Sequence, residues 1–515
     1  MSINDCMCNA GYYTERANLI AYRRSQMMDT SGRHTCAVVG ESKQLFCWGL
    51  NDKGQCGFNG GLSTRTLPVR AASLDDILMV SLGIDFTCVV FNATQQVKCF
   101  GGNVFGQLGQ DSGVTSSISL NVTAMSNINF GGNDPRVSKI SCNTYTCCVI
   151  ISFATSNARS FGVRCWGAGH NGQLGVQLSS GHTVGLGTPS SSITMPFISD
   201  VNLGGEMPTD VSVGGLHACA LTNPGNIYCW GKNDFGQVGV GNTVQNYFTP
   251  QFALINQNGP SVAVECNADV CCAILRTMEL KCWGQGRNPT TQQANGRLGT
   301  VGAINICADT STCGINIPSV ALGNGGLAVD VSIGDSQTCA LLENNRVKCW
   351  GLVEGQVIGD QPHVEMNEYL PNILFNDYRL AIQIAGKGGV QCAILNSYQL
   401  SCWGDNSNWQ LGVQVINQTF RAANHQNISS MSEVMLPDLI VKASGQALEK
   451  TCSLCPAGFY CSGMDAGNAI ASCIPNSTST PGSMIQEACV CLDGYYKDIM
   501  TGLCVLCQAG FYCYR

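Results

Sequence analysis

Charge is scarce in this sequence: 12% of its 515 residues are Asp, Glu, Lys or Arg, and the formal net charge is −7. So few charges argue against long amphipathic surface helices. An acidic balance with no basic run beyond Arg23-Arg24 removes the electrostatic footprint of a nucleic-acid partner. No stretch approaches the ~20 apolar residues that span a bilayer, so no direct membrane insertion is expected of this chain. A signal peptide is lacking too, since Met1 is followed almost at once by Asp5, Cys6 and Cys8. Phosphate-cradling loops, nucleophile elbows, HExxH and Asp-rich calcium patterns are absent from the sequence. The six His (His34, His170, His182, His217, His363, His425) have no metal-site spacing. The expectation is therefore a protein that is not an enzyme, with no catalytic residue, cofactor or metal.

What the sequence has is glycine and cysteine, 60 and 32 residues respectively. Glycine at that level implies many turns. An even number of cysteines at regular positions implies an oxidising compartment. Five Asn-x-Ser/Thr acceptor sites for N-linked glycans agree with it: Asn92, Asn121, Asn417, Asn427 and Asn476. The expected location is extracellular or at the cell surface. A secreted protein needs a leader, so the true N-terminus is expected to lie upstream of Met1. The chain also stops at Cys513-Tyr-Arg515, inside a cysteine motif, and both ends are expected to be cut from something longer.

An internal repeat organises the middle of the chain. Cys-Trp-Gly recurs at Cys47, Cys165, Cys229, Cys282, Cys349 and Cys402, and Cys-Phe-Gly at Cys99 fills the remaining gap, giving seven copies 52 to 67 residues apart. A glycine turn follows, as in Trp48-Gly-Leu-Asn-Asp-Lys-Gly-Gln-Cys-Gly57 and Trp230-Gly-Lys-Asn-Asp-Phe-Gly-Gln-Val-Gly239; copies five and six depart from it. No helix follows Gly-Gln-Leu-Gly, so this is a turn and not a nucleotide loop. The aromatic of each copy is read as packing between repeats and not as a ligand-stacking residue.

Upstream of each motif lies a short apolar strand opening with another cysteine, as in Thr35-Cys-Ala-Val-Val39 and Thr338-Cys-Ala-Leu-Leu342. Nine or ten residues separate the two cysteines in six copies, and sixteen in the third. Two strands and a short polar loop make an antiparallel hairpin, in which facing Cα atoms approach to about 4.5–5.5 Å, close enough for a disulfide. One bridge per hairpin is predicted: Cys36–Cys47, Cys88–Cys99, Cys148–Cys165, Cys219–Cys229, Cys272–Cys282, Cys339–Cys349 and Cys392–Cys402, each contributing about 2–3 kcal/mol. Five residues before the hairpin cysteine stands Gly83, Gly214 or Gly334, replaced in copies three and five by Asn143 and Asn267. That exchange points to a left-handed backbone position. The same two copies carry extra cysteines, read as local staples Cys142–Cys147 and Cys266–Cys271; Cys307–Cys313 is read as a loop staple, which leaves Cys56 unpaired. His34 and His217 share one repeat position, two before the hairpin cysteine, and are read as structural.

The unit Val-Ser-Ile-Gly-x4-Cys-Ala-Leu-Leu…Cys-Trp-Gly-x4-Gly-Gln-Leu-Gly resembles the RCC1 (regulator of chromosome condensation) repeat. The resemblance implies an all-β, seven-bladed β-propeller with four strands per blade, over residues 20–445. Cysteines in the hairpins depart from nuclear and cytosolic members, which puts the exchange-factor role of the best-known member in doubt.

The flanks are different. Thr451-Cys-Ser-Leu-Cys-Pro-Ala-Gly-Phe-Tyr-Cys461, Cys473, Cys489-Val-Cys-Leu-Asp-Gly-Tyr-Tyr496 and Cys504-Val-Leu-Cys-Gln-Ala-Gly-Phe-Tyr-Cys513 look like ephrin-receptor-like cysteine-rich repeats. The Gly-Phe-Tyr spacing does not fit a zinc ribbon, and no βαβ context supports a redox CxxC. Residues 1–19 carry half of such a module, because Cys6-Met-Cys-Asn-Ala-Gly-Tyr-Tyr13 matches Cys489–Tyr496. The expectation is a propeller inserted into one cysteine-rich unit, completed by residues 446–515, with bridges Cys8–Cys452, Cys491–Cys504 and Cys473–Cys489. Cys6 then lacks a partner, and Cys455, Cys461, Cys507 and Cys513 stay unassigned.

The functional expectation is a non-enzymatic structural or interaction module of a secreted or cell-surface glycoprotein. Its partners are expected to be other protein chains, above all copies of itself, in a filament, flagellar hair or cell coat, with Cys6 and Cys56 available for covalent links. The alternative is a receptor ectodomain binding a ligand or glycan; further behind stands an intracellular RCC1-type guanine nucleotide exchange factor.

Overall fold

Two short strands, a turn and a bridge across them form a rigid ribbon, but one with two apolar faces to bury. A ribbon of that kind is stable only when stacked on its neighbours. In the computed structural model the seven hairpins do this. The structure describes residues 26–413 apart from connecting segments, the longest being 112–121, 287–295 and 359–369, together with Val434, Leu436 and short backbone strands in the flanks.

The chain divides into two compact units, residues 20–442 and residues 1–19 with 443–515. The larger unit holds seven sheets, each built on an antiparallel hairpin and here called blades 1 to 7. Their inner strands are Met28–Thr30, Ile77–Leu82, Arg136–Asn143, Pro208–Val213, Ser261–Asn267, Ala328–Ile333 and Ala381–Lys387. Each packs on the next, and Met28–Thr30 meets Ala381–Lys387 to close the ring. Blades 1, 4 and 5 have four strands; blades 2 and 7 show three among the described residues. All-β architecture with seven blades is thus what the repeat count and the resemblance anticipate.

Alternation along the inner strand sets the radial order. Counting back from the hairpin cysteine, the eighth residue is Met28, Val80, Ile140, Val211, Val264, Val331 or Ile384, all buried. The seventh is Asp29, Ser81, Ser141, Ser212, Glu265, Ser332 or Ala385, and most of these line a central cavity of about 70 Å³. Serine there has a structural task. Ser81, Ser141 and Ser212 Oγ each accept the backbone N–H of the following blade, from Cys142, Val213 and Cys266, at 2.8–3.0 Å.

The tryptophans join the blades. Trp48, Trp166, Trp230, Trp283 and Trp350 are fully buried. Their Nε1–H donate to the carbonyls of Gln410, Gln107, Gln173, Gln237 and Arg297, each in the preceding blade, at 2.9–3.1 Å. The glutamine of Gly-Gln-x-Gly stiffens its own turn first: Gln55, Gln107, Gln173, Gln237 and Gln410 Oε1 accept the N–H two residues upstream. Its carbonyl is then held toward the next indole. Gly412, at φ 71°, must be glycine because a Cβ there would lie 2.7 Å from Trp48 Nε1. Trp48 is the seam between the last blade and the first. Trp48→Phe copies Phe100 of blade 2, and Thr35 still donates to the Gln410 carbonyl. The expected cost is therefore only about 1 kcal/mol, read by denaturant unfolding.

In the smaller unit, Tyr12–Thr14 pairs with Cys452–Leu454, Tyr12 opposite Leu454 and Thr14 opposite Cys452. Tyr495–Lys497 pairs with Cys504–Leu506 in the same register, Tyr495 opposite Leu506 and Lys497 opposite Cys504.

Candidate functional site: bridged blades and a closed channel floor

Each hairpin places its two cysteines directly opposite one another. Cys36–Cys47, Cys88–Cys99, Cys148–Cys165, Cys219–Cys229, Cys272–Cys282, Cys339–Cys349 and Cys392–Cys402 are bonded, with Cα atoms 4.0–4.1 Å apart. The staples Cys142–Cys147, Cys266–Cys271 and Cys307–Cys313 are bonded as well. Two groupings of ligand-type residues, Cys88/Cys142/Cys147 and His217/Cys266/Cys271, consist of such bonded sulfurs and one imidazole. A sulfur in a disulfide is not the thiolate that a metal needs. Cys8, Cys473 and Cys489 lie outside the described residues; Cys452, Cys491 and Cys504 are described as backbone only.

Cys56 does not serve as a cross-linking thiol. It is buried with no exposed surface, fills the apolar slot taken by Leu108 and Val238 in other turns, and its Sγ reaches the Leu50 carbonyl. Burial pushes its thiol well above the ordinary range.

The left-handed expectation at the fifth residue before the cysteine also fails. Gly83, Gly214, Gly334, Asn143 and Asn267 all have ordinary negative φ; the positive values fall one residue later, at Thr144 (40°) and Ala268 (47°). Space decides this position. A Cβ on Gly83 or Gly214 would collide with the ring of Phe86 or His217, three residues on. Where the third residue is the smaller Thr146 or Val270, a side chain fits.

Those side chains close the channel. Asn143 Nδ2 donates to Asn267 Oδ1 at 2.7 Å and to the Val213 carbonyl at 3.2 Å, and Asn267 Nδ2 donates to the Ile333 carbonyl at 2.6 Å. The same position in blade 7 is Lys387. Its Nζ pairs with Asp29 Oδ2 at 2.7 Å and donates to the carbonyls of Leu82 and Cys142 at 3.1 and 2.8 Å. Three side chains thereby tie all seven blades together across the axis. In the sequence Lys387 is marked only by its place five before Cys392, the spacing shared by Asn143 and Asn267. Around them the turns bond directly, Ile84 N–H to Thr144, Gly215 N–H to Ala268 and Asp335 N–H to Gly388.

The two repeat-position histidines are interior. His34 Nδ1 and Nε2 lie 2.8 Å from Ser31 Oγ and Thr87 Oγ1, and His217 Nε2 lies 3.0 Å from Cys271 Sγ. Burial, assisted by Lys387 for His34 and by Lys232 and Arg297 for His217, lowers both to about 3, so both are neutral. Arg297 takes the glutamine position in blade 5 and crosses to blade 6, donating to Gln285 O, Gln285 Oε1 and the Asp335 carbonyl. Asn92 is half-buried in the hairpin loop of blade 2, and its Nδ2 donates to Asp76 Oδ1 at 3.1 Å. Asn121, Asn417, Asn427, Asn476, His182, His363 and His425 lie outside the described residues. Shallow grooves recur between blades 2 and 3, 3 and 4, and 5 and 6, of about 300, 520 and 450 Å³.

Residues 43–90, 209–237, 224–274 and 328–352 match the Regulator of chromosome condensation (RCC1) repeat. Those segments fall in blades 1, 2, 4, 5 and 6 of the propeller. Over 394 residues, 76% of this chain and 79% of the relative, the sequence is 23% identical to the ultraviolet-B receptor UVR8 of Arabidopsis thaliana. A stretch of 218 residues, 42% of this chain, is 28% identical to the human E3 ubiquitin-protein ligase HERC2 and spans 4% of it. Human WBSCR16 superposes with a TM-score of 0.55 at 17% identity, covering 76% of this chain and 95% of that one. Yeast RCC1 (Prp20), solved bound to Kap60, gives 0.55 at 13%, covering 85% and 89%. At those identities the likeness is one of fold, an RCC1-like propeller.

Proposed function

We propose that this chain is a non-enzymatic interaction module of a secreted or cell-surface glycoprotein. In this reading the RCC1-like propeller is inserted into a cysteine-rich array and serves as a building block of an extracellular filament, flagellar hair or cell coat. The observation that carries the reading is the disulfide in every one of the seven hairpins. Bridges in that number persist only outside a reducing interior. The matching registers of Tyr12–Thr14 with Cys452–Leu454 and of Tyr495–Lys497 with Cys504–Leu506 support a cysteine-rich unit split by the propeller. A partner that is a protein fits the fold's use in yeast RCC1, which binds Kap60. The second reading is a ligand- or glycan-binding ectodomain, favoured by the grooves between blades.

Alkylation of native material without reductant, followed by peptide mapping, is expected to return the ten bonded pairs as cross-linked peptides and Cys56 as a thiol unreactive until unfolding. Enzymatic deglycosylation in the same experiment is expected to convert Asn92 to Asp. Extensive labelling of the hairpin cysteines would overturn the extracellular reading and leave an intracellular RCC1-type exchange factor in its place. Electron microscopy of native particles separates the two surface readings, filaments supporting the building block and single discs the receptor.

A further inference from the structure

One bridge per hairpin suffices to lock a blade, yet blades 3 and 5 carry a second, Cys142–Cys147 and Cys266–Cys271. Each of these lies against the hairpin bridge of the preceding blade. Cys147 Sγ is 3.7 Å from Cys88 Sγ in blade 2, and Cys271 Sγ is 3.5 Å from Cys219 Sγ in blade 4. Sulfurs at that separation are in contact, the starting arrangement for attack of a thiolate on a disulfide. All eight sulfurs are buried, and the two bridges of each seam differ in what lies beside them. Cys142–Cys147 and Cys266–Cys271 sit beside half-buried two-residue turns, Thr144-Tyr145 and Ala268-Asp269. Cys88–Cys99 and Cys219–Cys229 pair in the middle of their hairpins, away from any turn. Local opening of a turn thus exposes the staple before the hairpin bridge.

The seams also differ from one another. At seam 4–5 His217 Nε2 is 3.0 Å from Cys271 Sγ, and Nδ1 has no partner. The proton is assigned to Nε2, so that the ring donates to the sulfur. An imidazole kept neutral by burial is a poor base, but its N–H stabilises a thiolate. At seam 2–3 the equivalent residue is Phe86, which offers no donor.

We propose that seams 2–3 and 4–5 are thiol–disulfide exchange sites whose substrate class is a dithiol. The dithiol delivers two electrons and two protons to Cys266–Cys271, becoming a cyclic disulfide and leaving two thiols. Cys271, as the thiolate held by the His217 N–H, attacks Cys219 Sγ. The Cys219–Cys229 bond breaks, Cys219–Cys271 forms, and Cys229 leaves as a thiolate that takes up the proton Cys271 gave. This second step needs no oxidant. Its product is a covalent link from blade 4 to blade 5 with Cys229 and Cys266 free; at seam 2–3 the same steps give Cys88–Cys147 with Cys99 and Cys142 free.

The test uses the oxidised full chain with limiting dithiothreitol, acid quenching, alkylation and non-reducing peptide mapping. Cys219–Cys271 and Cys88–Cys147 peptides are expected; native pairs alone at every extent of reduction would overturn the proposal. C266S provides a second route without reductant, since it leaves one thiol at this seam. That thiol is expected on Cys229, and finding it on Cys271 counts against exchange. H217F is expected to slow appearance of Cys219–Cys271 about tenfold and leave Cys88–Cys147 unchanged. The proposal rests on the oxidised state of the reading above, whose own failure would show as labelled hairpin cysteines before any dithiol is added.

Discussion

Acidification from pH 6.5 to pH 3 is expected to remove about 4–5 kcal/mol of stability for each of His34 and His217, both of which burial lowers to about 3. A base held neutral in the fold binds its proton only in the unfolded chain. Its penalty is therefore absent above pH 6.5, grows as pH falls through that value, and is complete near pH 3. Asp85, Asp269 and Asp335 act in the opposite sense, because burial raises their carboxyls and the fold then binds protons that the unfolded chain releases. H217F separates the terms. Phe86 already packs on Gly83 as His217 packs on Gly214, so the ring fits, while the proton-linked loss of one imidazole disappears. Urea unfolding at a series of pH values should show wild type and H217F converging near neutrality and separating steadily below it. Parallel curves would mean that His217 titrates normally in the fold.

Lys387→Met is expected to cost about 3–5 kcal/mol at neutral pH. The substitution keeps an unbranched side chain, one atom shorter, but leaves Asp29 buried with a charge that Ser81 Oγ and the Thr30 and Leu82 N–H groups alone still face. It also strips the Leu82 and Cys142 carbonyls of their donor. Replacing both partners, Lys387→Met with Asp29→Asn, is expected to recover much of the loss, since an uncompensated buried charge is worse than none. Denaturant unfolding of the two single variants and the double one measures the coupling. A Lys387→Met protein within 1 kcal/mol of wild type would show that the channel floor is not holding the ring.

The hairpins could be read from the sequence because their contacts are local. Cys339 and Cys349 are ten residues apart, and a strand, a turn and a second strand leave them one place to meet. The indoles were legible as packing residues for a similar reason, one per repeat in a fixed frame. Glycine at the fifth position was misread. At Gly83 and Gly214 the cause is a clash with a ring three residues on, at Gly334 the closeness of the Gly388 carbonyl, and Asn143 and Asn267 stand where the third residue is the smaller Thr146 or Val270, not where the backbone is left-handed. Cys56 was misread because an unpaired cysteine in sequence carries no record of its burial.

By itself the sequence determined the number of blades, the pairing of the hairpin cysteines and the frame in which each tryptophan stands, since all three follow from spacings within one repeat. Only the tertiary structure decided what the repeats do to one another. Closing the ring brings Lys387 to Asp29, 358 residues away, sets Asn143 against Asn267, and lays the staples of blades 3 and 5 on the bridges of blades 2 and 4. Those contacts join side chains from different copies of the repeat, and their distances are fixed by the radius and closure of the ring, which no single repeat contains.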